Sequence, residues 1–130
     1  MKNIAEKILE MEKVCFDKPW SFVTLSLMET NPAAIIIVED YGYALGLKLS
    51  GDCELHRIAV LPEYRGQGKG YSLMQRFLGE CTGTVFLEVA SRNVHAIRLY
   101  EKCGFVEINR RNDYYRDDDA IVMKLERKHD

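Results

Sequence analysis

No stretch of this sequence approaches the ~20 consecutive apolar residues that a membrane span requires. The longest run, Ala33-Ala34-Ile35-Ile36-Ile37-Val38, has only the length of a strand. The N-terminus, Met1-Lys2-Asn3-Ile4-Ala5-Glu6-Lys7, turns polar too often for a signal peptide, which points to a cytoplasmic protein. An excess of charge of either sign is missing too: 18 Lys and Arg stand against 20 Asp and Glu, a formal net charge of -2. That balance excludes the basic footprint of a nucleic-acid-binding domain and is compatible with a cationic substrate. The four cysteines, Cys15, Cys53, Cys81 and Cys103, form no Cys-x-x-Cys pair, and no histidine cluster stands near one at metal-ligand spacing, so no metal is expected. In a reducing compartment they read as buried or half-buried thiols. Linkers, repeats and low-complexity segments are absent as well. With 130 residues, 47% of them hydrophobic, the chain reads as one globular domain, 1–130, with a core of its own.

What is present is a regular succession of amphipathic and β-branched segments. Ile4, Ile8, Leu9, Met11 and Val14 recur at helical spacing and predict a helix from Ile4 to Phe16. Pro19 interrupts it, and Ser21 is placed to cap a second helix, Phe22 to Glu29, which Asn31-Pro32 ends. Strands follow at Ala33–Val38, Tyr43–Leu49 and Cys53–Val60, separated by the turns Asp40-Tyr41-Gly42 and Ser50-Gly51-Asp52. Tyr71, Leu73, Met74, Phe77 and Leu78 mark a helix reaching about Cys81, stopped by Thr82-Gly83. A strand Val85–Val89, a helix Val94–Lys102 with Gly104 at its C-terminal end, a strand Phe105–Tyr115, a turn Arg116–Asp118 and a strand Ala120–Leu125 complete the chain. The order implies a mixed α/β or α+β layered fold.

The segment of most chemical interest is Arg65-Gly66-Gln67-Gly68-Lys69-Gly70, set between a strand and a helix. It offers a row of backbone N–H groups at a helix N-terminus, with glycines where a ligand would approach. The helix dipole, Arg65 and Lys69 all favour an anion, and the loop suits a pyrophosphate. Two familiar nucleotide loops do not fit. Lys69 is followed by Gly70 rather than Ser or Thr, and Gly66-x-Gly68 is followed by Tyr71 and lies mid-chain.

The arrangement Arg65-x-x-Gly68-x-Gly70, preceded by Ile58-Ala59-Val60-x-Pro62-x-Tyr64, resembles the coenzyme A loop of the GNAT superfamily of N-acetyltransferases. The resemblance continues through Leu87-Glu88-Val89, Asn93, Tyr100 and Gly104-Phe105. It narrows to the RimI-type ribosomal protein alanine N-acetyltransferases through Cys15-Phe16-x-Lys18-Pro19-Trp20-Ser21, Leu87-Glu88-Val89 and Arg110-Arg111-Asn112-x-Tyr114-Tyr115. It implies a mixed, mostly antiparallel sheet flanked by helices. The amides of Gly66, Gln67, Gly68, Lys69, Gly70 and Tyr71 would then hold the pyrophosphate of acetyl-coenzyme A. Ile58, Ala59 and Val60 would pair with its pantetheine amides, and Asn93 would add a hydrogen bond. It further implies Glu88 as the base that deprotonates the acceptor amine and Tyr100 as the acid that protonates the departing thiolate, with the Val60 amide at the developing oxyanion. Set in the apolar run Val85-Phe86-Leu87-Glu88-Val89, Glu88 is expected to be partly buried.

Glu54, on the strand before the loop, is the rival base. His56 and His95 have no evident orienting partner in the sequence and read as surface or groove residues, and Cys53 and Cys103 are set aside as acyl carriers. Against relatives of this type, the customary first strand is truncated or missing and the helix after the glycine loop is short. The first two helices and the loop Arg116-Asp117-Asp118-Asp119, with Tyr114 and Tyr115 before it, are expected to choose the acceptor. Its three carboxylates read equally as an attraction for a basic protein N-terminus or as a solvated turn. Three functions stay open: acetylation of a protein N-terminal amine, ribosomal alanine foremost; acetylation of a polyamine or amino sugar; and acyl-coenzyme A binding without catalysis.

Overall fold

The computed structural model describes residues 2–115 and 118–127. Helix α1 (Ile4–Cys15) begins where the Asn3 side chain accepts a hydrogen bond from the Glu6 amide at 2.8 Å, and α2 (Phe22–Thr30) where the Ser21 hydroxyl accepts one from Thr24 at 3.1 Å. Strands β1 (Ala34–Glu39), β2 (Gly42–Lys48) and β3 (Cys53–Val60) form a meander. A short 3-10 turn, Pro62–Tyr64, leads into α3 (Lys69–Gly79), then β4 (Val85–Ala90), α4 (Val94–Lys102), β5 (Val106–Tyr115) and β6 (Asp118–Leu125). The six strands make one sheet in the order β1-β2-β3-β4-β6-β5. Only the β3–β4 pair is parallel, so the sheet is mostly antiparallel and flanked by helices, as expected. No strand precedes α1 among the described residues, which leaves β1 at the sheet edge. Among the same residues no helix is long and apolar enough to cross a membrane.

Two boundaries differ from expectation. Helix α3 starts at Lys69, inside the glycine loop, because Gly68 takes the left-handed conformation and turns the chain there. Strand β6 starts at Asp118, not after a turn running through it, because Asp118 already pairs with Tyr115 across the hairpin. Arg116 and Asp117 lie outside the described residues.

Strand alternation divides the core into two clusters. On one face Leu73, Met74 and Phe77 of α3 and Tyr100 of α4 pack on Ile35, Ile37, Cys53, Leu55, Val85 and Leu87. On the other, Ala5, Ile8, Met11 and Leu25 of α1 and α2 pack on Tyr43 and Leu45. Cys53 and Cys81 are buried and Cys15 and Cys103 half-buried, all as free thiols.

One irregularity shapes the molecule. Leu45 faces Arg57 and the next residue of β2, Gly46, faces Leu55, so His56 is an extra residue in β3. The bulge breaks the alternation, and both His56 and Arg57 project toward α1 and α2. Gly46 has no room for a side chain there, since a Cβ would lie 2.2 Å from the Glu54 carbonyl oxygen and 2.5 Å from the Phe77 ring. Arg57 meets Glu12, which α1 buries completely. Nε and Nη2 of Arg57 donate to the two Glu12 oxygens at 3.0 Å each, the Trp20 amide donates at 2.7 Å, and the Tyr43 hydroxyl donates as well. The guanidinium lies 3.7 Å from the Phe16 ring centroid and donates to the Lys18 carbonyl at 3.2 Å. Burial and the Glu12 carboxylate push the Tyr43 hydroxyl far above the usual tyrosine range.

Beyond the bulge β3 and β4 separate. They pair only at Cys53↔Val85 and Glu54↔Phe86, although β3 runs on to Val60 and β4 to Ala90. The β4-facing edge of β3 is thereby left without a ladder partner in the middle of the sheet.

Removing one member of the Glu12–Arg57 pair strands a buried charge. Glu12→Ala is expected to lower stability by about 3–5 kcal/mol, while Glu12→Met combined with Arg57→Met costs far less than the sum of the single changes. Urea unfolding of the wild type, Glu12→Ala, the two single methionine variants and the double variant measures both.

Candidate active site

The glycine turn and the separated strands form one continuous depression. Gly66 and Gly68 have φ of 77° and 76°, and nothing lies within 4 Å of a Cβ placed on either, so they serve backbone conformation and not space. Gly70 differs, for its Cβ would come within 3.3 Å of Leu99 on α4. With glycine at its N-cap, α3 has no side-chain cap, and its first-turn amides are left for a ligand. A cavity of about 540 Å³ opens at this point, lined among others by Val60, Gly66, Gly68, Lys69, Gly70 and Tyr71. Arg65, Lys102 and His95 border it too. Arg65 Nε donates to the Val60 carbonyl at 2.9 Å, and the Lys69 ammonium sits 4.9 Å from the Tyr41 ring centroid. Gln67 is not among the lining residues, and its side chain donates to the Glu63 carbonyl at 3.2 Å.

A second groove, about 370 Å³, adjoins the first through Val60, Arg65, Gly70, His95 and Leu99. Ile58, Ala59 and Asn93 line it. Asn93 caps α4 by accepting from the Ala96 amide at 3.3 Å, as the sequence indicated. The Cys15 thiol lies 3.7 Å from the Val60 carbonyl oxygen, and burial pushes its pKa up. An uncapped helix start beside an unpaired strand edge fits a ligand with an anionic end and an extended chain of amides. Among the described residues no group of three or more His, Cys, Asp or Glu side chains is placed to hold a metal ion.

Glu88 lies elsewhere, in a groove of about 490 Å³ on the α1/α2 face with Trp20, Glu54, His56, Phe86 and Arg111. It is exposed, not partly buried as expected. Alternation sends Val85, Leu87 and Val89 into the core and turns Phe86 and Glu88 to the part of the opposite face that α1 and α2 leave open. His56 does have a partner: its Nε2 is 2.5 Å from Glu54 Oε1. Two residues apart on one strand share a face, a spacing already visible in the sequence. Trp20 stands edge-on to the His56 ring at 6.4 Å between centroids.

Tyr100 is 7% exposed, within the core on the α3/α4 side, and it lines none of these three grooves. Its ring lies 6.0 Å from that of Phe105. Burial, with a smaller push from Cys103, raises its hydroxyl to about 12, so it holds its proton at neutral pH. Glu88 and Tyr100 therefore stand on opposite faces of the sheet, with the separated β3 and β4 between them.

The acidic segment is largely tied up internally. Asp118 accepts from the Ser91 hydroxyl and from the Arg92 amide at 3.1 Å. Asp119 accepts from the Asp113 amide at 2.9 Å and from Arg110 Nε at 2.8 Å. The Ser91 hydrogen bond holds the Asp118 carboxyl below the usual carboxylate range, and the Asp113 amide and Arg110 do the same for Asp119. These two residues anchor the loop before Asn93 and the β5–β6 hairpin, while the third carboxylate, Asp117, lies outside the described residues. The Glu12–Arg57 pair and the groove residue Arg111 were not anticipated. Glu12 falls four residues after Ile8 on the apolar stripe of α1, the one available signal.

A profile of the acetyltransferase (GNAT) family matches residues 5–105 of the chain. The ribosomal protein bS18-alanine N-acetyltransferase of Haemophilus influenzae is 33% identical over 131 residues, covering 91% of this chain and 89% of that protein. The enzyme of the same name from Escherichia coli strain K12 is 36% identical over 91 residues, 64% of this chain, and the match spans 62% of that relative's length. The crystal structure of the ribosomal-protein-S18-alanine N-acetyltransferase from Escherichia coli superposes with a TM-score of 0.85 at 27% identity, covering 97% of this chain and 89% of that one.

Gly68→Ala is expected to cost about 1–2 kcal/mol through the left-handed backbone alone, read as a lower urea midpoint. For Asp118→Asn combined with Asp119→Asn, thermal melting across pH is the measurement. A carboxyl with a depressed folded pKa stabilises above the unfolded value, about 3.9, and ceases to do so as pH falls through the folded one. The parent should melt higher than the variant at neutral pH, and the difference should close below about pH 4.

Proposed function

The chain belongs to the acetyltransferase (GNAT) family, and from that premise we propose that it transfers the acetyl group of acetyl-coenzyme A to the N-terminal amine of a protein, with an alanine of a ribosomal protein as its foremost acceptor. What carries this reading is the strand opening: a helix start and a bare strand edge on one side of it, and a carboxylate in an open groove on the other. The names of the relatives support the choice of acceptor.

In this reading the amides of Gly66, Gln67, Gly68, Lys69, Gly70 and Tyr71, with Arg65, hold the pyrophosphate. Ile58, Ala59 and Val60 pair with the pantetheine amides as a further strand would, and Asn93 adds a hydrogen bond. The acceptor enters from the α1/α2 face, past Trp20. Glu88 takes a proton from its nitrogen, the Val60 amide steadies the charge that develops on the thioester oxygen, and Tyr100 protonates the departing sulfur. A tyrosine raised to about 12 suits that last task, since it arrives protonated. An exposed groove wide enough for an extended chain favours a peptide over a small enclosed amine.

Glu88→Gln is expected to lower kcat on an alanine-initiated peptide by about 100-fold with little change in acetyl-coenzyme A affinity, and Tyr100→Phe to lower kcat comparably. Coenzyme A release measures both. Turnover of polyamines or amino sugars but of no N-terminal peptide would move the function to small-molecule acetylation. Binding of acetyl-coenzyme A without turnover of any amine, indifferent to Tyr100→Phe, would make the chain an acyl-coenzyme A-binding module.

A further inference from the structure

Two protons leave the attacking nitrogen for each acetyl group transferred. An ammonium sheds one before its lone pair is free, and the nitrogen sheds another after it has bonded to carbon. Glu88 is one acceptor, and the same groove holds a second group able to take a proton. Glu54 and Phe86 are the last residues paired between β3 and β4. Two residues further along each strand stand His56 and Glu88, in the same groove, on either side of the point where the strands separate. His56 is also the bulge residue, with Trp20 edge-on to its ring.

The contact between His56 Nε2 and Glu54 Oε1, 2.5 Å, gives the ring a defined role. With Nε2–H donated to the carboxylate, the lone pair is on Nδ1 and the ring is oriented. The Glu54 side chain is 45% exposed, which gives the proton a way out to water. The charged groups sharing this groove are Glu54 from β3, Glu88 from β4 and Arg111 from β5.

We propose that His56, oriented by Glu54, is a catalytic residue that takes the first proton from the acceptor ammonium, leaving Glu88 to take the second. The inference deepens the N-terminal acetylation reading and rests on it. The ammonium N–H bond breaks and Nδ1–H forms. The freed lone pair bonds to the acyl carbon, Glu88 removes the remaining surplus N–H, and the C–S bond breaks with its electron pair on sulfur. Tyr100 protonates that sulfur and recovers a proton in place of the one on Glu88, while the His56 proton passes to solvent. One amide, one thiol and one released proton result.

The test compares wild type, His56→Gln, His56→Ala and Glu54→Gln on an alanine-initiated peptide with acetyl-coenzyme A. His56→Gln should lose about 100-fold in kcat/KM for the peptide, with its acid limb displaced and acetyl-coenzyme A affinity unchanged. Free imidazole should restore part of the rate to His56→Ala, and Glu54→Gln should move the acid limb to lower pH. Wild-type kcat/KM and an unaltered pH profile in His56→Gln overturn the role of His56, while peptide turnover by the wild type leaves the acetylation reading standing. A wild type that binds acetyl-coenzyme A and turns over no N-terminal peptide overturns both.

Discussion

At His56 the third strand holds one residue more than its partner strand, and from that point its side chains change phase. The switch turns Arg57 out of the line it would otherwise follow and onto α1, where Glu12 is buried to receive it. A buried carboxylate is tolerable only if every oxygen is satisfied, and here a bidentate guanidinium, an amide and a phenol satisfy it. The pair thereby fixes α1, the Phe16–Trp20 segment and β3 to one another. With β3 bent and held, β4 pairs with it for only two residues, and an opening is left between the two strands.

The glycines divide along the same line. Gly42 and Gly46 lie in β2 against the backbone of β3, where any side chain would collide, and so belong to the bent strand. Gly66 and Gly68 have open space around them and belong to the turn, whose backbone angles only glycine adopts cheaply. The first pair shapes the opening and the second lays bare the amides at one end of it. Asp118 and Asp119 steady the opposite rim, holding the Ser91–Arg92 loop and the hairpin by hydrogen bonds.

A sheet open at its centre sets the proposed acid and base in different surroundings. On the α3/α4 side, burial keeps Tyr100 protonated. On the α1/α2 side, exposure keeps Glu88, Glu54 and His56 in reach of water and of an incoming amine. In the mechanism proposed above, the acid therefore works from a dry environment and the base from a wet one.

Element order and the glycine turn were legible from local pattern, because helix caps, β-branched runs and left-handed turns are set by residues a few positions apart. Ser21 and Asn93 cap as their positions indicated, and all ten expected helices and strands are found within a few residues of their predicted limits. The exposure of Glu88 and the partner of His56 differ from expectation, since each depends on how the strands and the distant helices meet. The family, the glycine turn and the residues along it were thus determined by the sequence itself. Tertiary structure alone decided that His56 bulges out, that Glu12 reaches Arg57 and that Glu88 and Tyr100 stand on opposite faces, because a register shift and a buried ion pair exist only once strands and helices from remote parts of the chain meet.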